Sequence, residues 1–228
     1  MKILMVAEIS SIHSARWINQ LKDTGWDVYV LQPLLPENGI NEDLKFGKIY
    51  CPFSTKSIDG RFFNFCFKKF SKRFPGTGKK LYQTYVRYFI YSLNPDVIHS
   101  LGLNVNWRNL CLPIYLARQK LGDRFTWPWV YSSWGTDLEI YAQKSPENRD
   151  EVEKILNSCD YYIAECKRDE RLAKELGFRG QFLGYYPAFG GVNRTYYDNL
   201  LNPEKTSMRK NIFLKDRGCH QLPWQTGT

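Results

Sequence analysis

Metal and disulfide chemistry find little to work with in this chain. Only 3 histidines occur in 228 residues, and the 6 cysteines, Cys51, Cys66, Cys111, Cys159, Cys166 and Cys219, include no CxxC pair. Neither a zinc cluster nor a disulfide framework is indicated, so no metal site is expected and the cysteines read as reduced core thiols. Phosphate cradles are missing too. No GxGxxG follows an apolar run and no GxxxxGKS/T occurs, which argues against nicotinamide-type dinucleotide binding and P-loop NTPase activity. The absence of a GxSxG elbow counts against a serine hydrolase. No apolar stretch approaches a membrane span, and the run Ile3 to Ala7, followed by Glu8, is too short for a secretory leader. A cytoplasmic location is the expectation, and no internal repeat or low-complexity segment breaks the chain.

What is present fits a folded α/β protein. Hydrophobic residues make up 43% and charged residues 24%, ordinary globular usage, so the chain can bury a sizeable core and is not disordered. The balance of 32 Lys and Arg against 23 Asp and Glu leaves a formal charge of +9, which favours anionic partners generally: nucleotides, nucleic acid or an acidic lipid surface.

Strand and helix signals alternate. Lys2 to Ala7 reads as a strand, Ser14 to Thr24 as a helix stopped by Gly25 and capped at Ser14, and Trp26 to Leu31 as the next strand. Such a βαβ crossover implies a parallel sheet with helices on its faces. A strand is expected over 44–51, helices over 61–74 and 79–93, and a strand over 96–100. A helix over 107–121, a strand over 129–133, a helix over 147–157, a strand over 160–164 and a helix over 168–176 complete the pattern. The fold class that follows is α/β, a Rossmann-like, doubly wound, mostly parallel sheet. Residues 1–195 form its domain, 196–210 a hinge, and 211–228 either the start of a second domain or a non-native tail.

In an open parallel sheet, ligands collect at the carboxyl ends of the strands, where loop amides and helix N-termini converge. Three segments fall there: Glu8 to His13, His99 to Gly102, and Ser132 to Asp137. With the usual strand order, His13, His99 and Asp137 share one rim, a set suited to binding a sugar hydroxyl or moving its proton. The structural alternative is a core histidine at His99, a helix cap at Asp137 and an exposed His13.

Between 61 and 74, Phe63, Phe67, Phe70 and Phe74 fall on one helical face, with Lys68, Lys69, Lys72 and Arg73 largely on the other. This basic amphipathic pattern can lie on an anionic membrane surface, although a helix packed on the sheet produces the same pattern and is the favoured reading. Nucleic-acid binding is not expected, because no binding module accompanies the patch.

The residues His13, Arg16-Trp17, Pro95-Asp-Val-Ile-His99, Trp134-Gly-Thr-Asp137 and Glu165-Cys-Lys-Arg-Asp169 together resemble the N-terminal domain of bacterial and archaeal family 4 glycosyltransferases over roughly the first 195 residues. The resemblance implies a GT-B fold, with two Rossmann-like domains facing each other across a cleft. This chain would supply the acceptor-side domain and only the start of the donor domain. It implies retaining transfer from a nucleotide sugar, which is a substrate, with no cofactor and no obligatory metal ion. The acceptor would be a cell-surface glycan or a lipid-linked sugar, and the latter would suit the basic aromatic segment 61–74 and a peripheral place at the inner face of the membrane. On this resemblance His99, Asp137 and His13 are the catalytic candidates, and Ser10, Ser11, Arg16, Trp134, Gly135 and Thr136 line the acceptor cleft. One departure is plain: many relatives carry a glycine-rich loop after the first strand, whereas Ser10-Ser11 stands here. The donor-site residues of the family have no counterpart in this sequence, and 215–228 reads as a frameshifted or prematurely ended tail. The chain is therefore expected to be inactive alone. A noncatalytic module that binds a sugar or a partner carrying the donor domain is the alternative.

Overall fold

A computed structural model describes residues 1–32, 39–51, 77–105 and 108–187. All of them fall in one compact unit, Met1–Gly190. The aromatic basic segment 61–74, the hinge 196–210 and the strand and tail expected over 211–228 lie outside the described residues.

The first strand, β1 (Lys2–Val6), is buried on both faces from Ile3 onward, as a central parallel strand must be. After it comes α1 (Ile12–Asn19), whose N-cap is Ser11: its hydroxyl accepts from the His13 N–H at 3.2 Å. The helix therefore starts ahead of the expected Ser14, which is instead a buried residue of its first turn. It also ends sooner, because Lys22–Thr24 tightens into a 3₁₀ turn and Gly25, at φ 72°, reverses the chain into β2 (Asp27–Leu31). Next come β3 (Lys48–Tyr50), shorter than expected, then α2 (Thr77–Leu93) and β4 (Val97–Leu101).

The helix expected over 107–121 begins later, as α3 (Leu112–Leu121), with Pro113 in its first turn where a missing N–H does no harm. Ahead of it β5 (Asn104–Val105) and β6 (Arg108–Asn109) pair in a short antiparallel ladder. β7 (Trp129–Ser132) leads into a π-helical turn, Asp137–Tyr141, continued by α4 (Ala142–Lys144) and α5 (Pro146–Leu156). β8 (Tyr161–Ala164), α6 (Lys167–Glu175) and β9 (Gln181–Tyr185) follow. The sequence reading missed β9, an edge strand of alternating exposure with a register shift opposite Tyr162 and Ile163.

Seven strands form one parallel sheet in the order β3-β2-β1-β4-β7-β8-β9. The chain winds outward from β1 through β2 and β3, then returns to the other side of β1 as β4, so the switch point lies between β1 and β4. On one face α1 covers Ile3, Met5, Val28, Val30 and Leu101. On the other, Leu4, Val6, Ile98, Trp129 and Tyr131 pack with Ile90, Ile114 and Ile155 of α2, α3 and α5. Tyrosine and tryptophan in this layer keep polar partners: the fully buried Trp129 donates its indole N–H to Ser100 Oγ at 3.0 Å.

The expectation of core thiols holds for Cys111 and Cys159, which are buried; Cys51 is half-buried, and burial pushes its thiol up to about 12. Cys166 is a correction. It is exposed, because it occupies the N-cap position of α6 in the loop that leaves the sheet.

Candidate active site at the carboxyl edge

Carboxylates tie the loops at the carboxyl edge to one another. Asp137, only 3% exposed, gathers on Oδ2 the Leu103 N–H at 2.9 Å, the Trp134 N–H at 2.9 Å and the Tyr131 hydroxyl at 3.0 Å. It thereby joins the loop after β4 to the loop after β7. The bond to Trp134 reaches back three residues, as the acidic member of a capping box does at a helix start. Burial raises the Asp137 carboxyl to about 7, against the pull of the Trp134, Tyr131 and Leu103 donors. A second tie runs from the Gly135 N–H to Glu165 Oε2 at 2.6 Å and joins the loops after β7 and β8. Gly135 is closely approached: a Cβ would stand 3.0 Å from both Glu165 Oε2 and Arg168 Nη2, and those side-chain ends would have to give way. Arg168 also pairs with Glu139 of the π turn and, at 3.0 Å, with Asp169.

At the other end of the edge, Glu8 follows β1 and is 4% exposed. Its Oε1 accepts from the Ser10 hydroxyl at 2.5 Å, the Ser10 N–H at 3.3 Å and Gln32 Nε2 at 3.2 Å, while Gln32 Oε1 accepts from the Ile9 N–H at 2.6 Å. Gln32 follows β2, so this tie joins the ends of β1 and β2. Glu8 Oε2 is buried with no partner among the described residues.

The histidines part company. His99 lies within β4, registered against Met5 and Val130, and its Nε2 meets Ser132 Oγ at 2.7 Å. Trp17 of α1 packs edge-on to its ring at a centroid distance of 5.8 Å. Burial lowers His99 to about 4, so its imidazole is neutral at physiological pH. His13, in the first turn of α1, instead meets Trp134, with ring centroids 6.0 Å apart and planes at 73°. Trp134 rests on Gly102, whose φ of +73° and bare Cα admit it; a Cβ there would lie 3.1 Å from the indole. His13 Nδ1 and Trp134 Nε1 are both buried without a partner among the described residues.

Of the residues singled out in the sequence, the structure therefore brings His13 and Trp134 together at the switch point. It does not bring His99 to Asp137. His99 faces the α1 side of the sheet, whereas Asp137 is reached from the opposite face by Tyr131. Ser11 is engaged as the helix cap and Ser10 in holding Glu8; Arg16 and Thr136 are exposed, and Gly135 sits against Glu165. Glu8, Gln32 and Glu165 were not among the sequence candidates. The signal for Glu8 was a carboxylate directly after an apolar central strand. Glu165 stood in plain view at the end of β8. The π turn starting at Asp137 is a geometry often met at functional sites. Among the described residues no group of His, Cys, Asp and Glu is gathered as a metal site.

A seven-stranded parallel sheet with its switch point beneath tied loops defines an α/β protein of Rossmann-like type. Residues 2–165 match the family Glycosyl transferase 4-like, and the chain belongs to that family. Among solved structures it is similar to UDP-N-acetylglucosamine 2-epimerase from Rickettsia bellii, with a TM-score of 0.51 and 11% identity, over 92% of this chain and 51% of that one. The chain thus spans about half the length of that epimerase. It is also similar to a sucrose-phosphate synthase structure from Thermosynechococcus elongatus, with a TM-score of 0.47 and 12% identity, over 92% of this chain and 99% of that one. Comparison with curated protein sequences finds no match. Among the described residues no helix is long and apolar enough to cross a membrane.

Proposed function

We propose that this chain is the acceptor-side domain of a retaining, sugar-nucleotide-dependent glycosyltransferase. It acts on a cell-surface glycan or lipid-linked acceptor and depends on a separate donor-binding domain. The observation that carries this reading is the family match over residues 2–165 on a sheet whose switch-point loops are held by the carboxylates of Asp137, Glu165 and Glu8. The nucleotide sugar enters as a substrate, and no cofactor or metal ion takes part.

His13 is the acceptor-facing residue of the three catalytic candidates, since its ring nitrogen has no partner among the described residues. Asp137 and His99 are positioning residues: the first fixes the Trp134 wall, the second stiffens β4 beneath it. Preorganised walls of this kind serve transfer by orienting the attacking hydroxyl. A lipid-linked acceptor would suit a peripheral contact of the basic aromatic segment 61–74 with the inner face of the membrane.

The test is transfer of labelled sugar from UDP- and GDP-sugars to a lipid-linked sugar extract, by the chain alone and with added donor-domain protein. Transfer is expected only in the mixture. Turnover by the chain alone would refute its dependence on a donor domain. Retained sugar binding with no transfer in any mixture would assign a noncatalytic binding module instead.

A further inference from the structure

The formal charge of +9 is not spread evenly along the chain. Between Asp59 and Asp96 lie 8 Lys and Arg and no acidic residue, which leaves the remainder at 24 basic against 23 acidic residues. The surplus is one stretch. Its second half forms α2, and α3, which packs beside α2, adds Arg118 and Lys120 and is itself free of acid. The other long helices on this face of the sheet are furnished in the opposite way. On α5 and α6, cations meet carboxylates one turn along in the pairs Arg149–Glu153, Lys154–Asp150, Arg171–Glu175 and Lys174–Glu170. Those helix surfaces are complete in water.

The outer face of α2 is not. Thr84, Tyr88 and Tyr91 are exposed at spacings of four and three, with Arg87 half-buried among them and Lys79 and Lys80 in the first turns of the same helix. Tyr88 is 69% exposed and Tyr91 62%. Tyr91 is held outward by the edge of Trp127, at 6.4 Å between centroids, and the Trp127 indole N–H is anchored on Asn94 Oδ1 at 3.0 Å. The ring is displayed rather than left loose.

Whatever covers this face must be anionic and must take up two rings whose hydroxyl ends stay wet. A second copy of the chain brings the same positive charge and is repelled. An acidic bilayer answers both demands, because its headgroups attract Lys and Arg while a tyrosine, apolar in body and polar at the tip, settles at the boundary of headgroup and acyl chain.

We propose that the outer face of α2 rests on the surface of an anionic lipid bilayer, with Tyr88 and Tyr91 entering the headgroup layer and Arg87 pairing with lipid phosphate. The inference deepens the lipid-linked-acceptor reading by naming the surface that meets the membrane. It can be tested apart from that reading, on lipid that carries no sugar.

The full chain is sedimented with vesicles of phosphatidylcholine alone, or of phosphatidylcholine mixed with phosphatidylglycerol, at low and at high salt. Binding is expected only to the anionic vesicles and should weaken as salt rises. Tyr88→Ser combined with Tyr91→Ser should lower it roughly tenfold and Arg87→Gln about fivefold, whereas Lys174→Gln, on the ion-paired surface of α6, should change it by less than about twofold. No binding, or equal binding to neutral vesicles, overturns the proposal. Undiminished binding by the α2 variants, or an equal loss in Lys174→Gln, overturns it as well; if the tyrosine variant does not fold, Arg87→Gln against Lys174→Gln decides. Duplex DNA bound as tightly as the vesicles, and released by the same α2 variants, would assign a nucleic-acid surface instead. Vesicle binding by a chain that transfers no sugar in any mixture would end the enzymatic reading and leave this one standing. Transfer by a chain indifferent to anionic vesicles would do the reverse.

Discussion

Asp137 and Glu8 are both buried at the carboxyl edge of one sheet, 3% and 4% exposed, yet they are furnished differently. Asp137 draws donors from two loops and a tyrosine onto a single oxygen. Glu8 uses one oxygen for its neighbours and leaves the other without a partner among the described residues. The loops after β4 and β7 are thus tied to one another through Asp137. The left-hand turn, after β1, is built with a vacancy in its bonding. Both carboxylates thus work through one oxygen; Asp137 joins two loops and a tyrosine with it, whereas Glu8 joins the ends of β1 and β2 and keeps its second oxygen buried.

The largest effect should come from Asp137→Ala. It leaves two N–H groups and a hydroxyl without their acceptor in a buried place, and should cost about 4 kcal/mol in urea denaturation. If Glu8→Ala costs as much, the contrast between the two carboxylates fails.

The pH dependence of stability sharpens the contrast next. The Asp137 carboxyl is raised from 3.8 to about 7, so its contribution is fully present below 3.8 and is lost as pH rises through 7. His99 is lowered from 6.5 to about 4, so its contribution is present above 6.5 and is lost as pH falls through 4. Between pH 4 and 6.5 the two slopes oppose one another, and the native chain should show nearly level stability. His99→Gln should unmask a loss of roughly 3 kcal/mol as pH rises across that window, and Asp137→Asn a gain of similar size. Melting temperatures measured at several pH values decide it; parallel slopes in the two variants would contradict the assignment.

A smaller effect is expected from Gly102→Ala. The left-handed backbone and the Trp134 indole 3.1 Å from the new Cβ should together cost about 1–2 kcal/mol and shift tryptophan fluorescence. Smallest should be Glu8→Gln, which keeps an acceptor for Ser10 and should change stability by less than about 1 kcal/mol.

The strand order around β1 was legible because its strands are apolar runs bounded by turn residues, and a βαβ unit leaves few ways to arrange them. Residue parity within β4 is legible too: His99 shares its face with Leu101, and that face looks toward α1. Grouping His99 with Asp137 followed from loop position alone, and a strand's alternation overrides loop position. β9 escaped notice because Gly184 and its aromatic neighbours read as loop, while its pairing comes from β8 and leaves no local signature. Likewise the vacancy on Glu8 depends on Gln32, a residue whose role appears only when the ends of β1 and β2 stand side by side.

The ties also have a mechanical consequence. One set links the loops above β4, β7 and β8 in series, and another links the ends of β1 and β2. Above the seam separating these jaws, His13 and Trp134 touch only by ring edge, at 6.0 Å between centroids. An edge contact of that kind is worth about 0.5–1.5 kcal/mol, less than the charge-assisted hydrogen bonds that make the ties on either side.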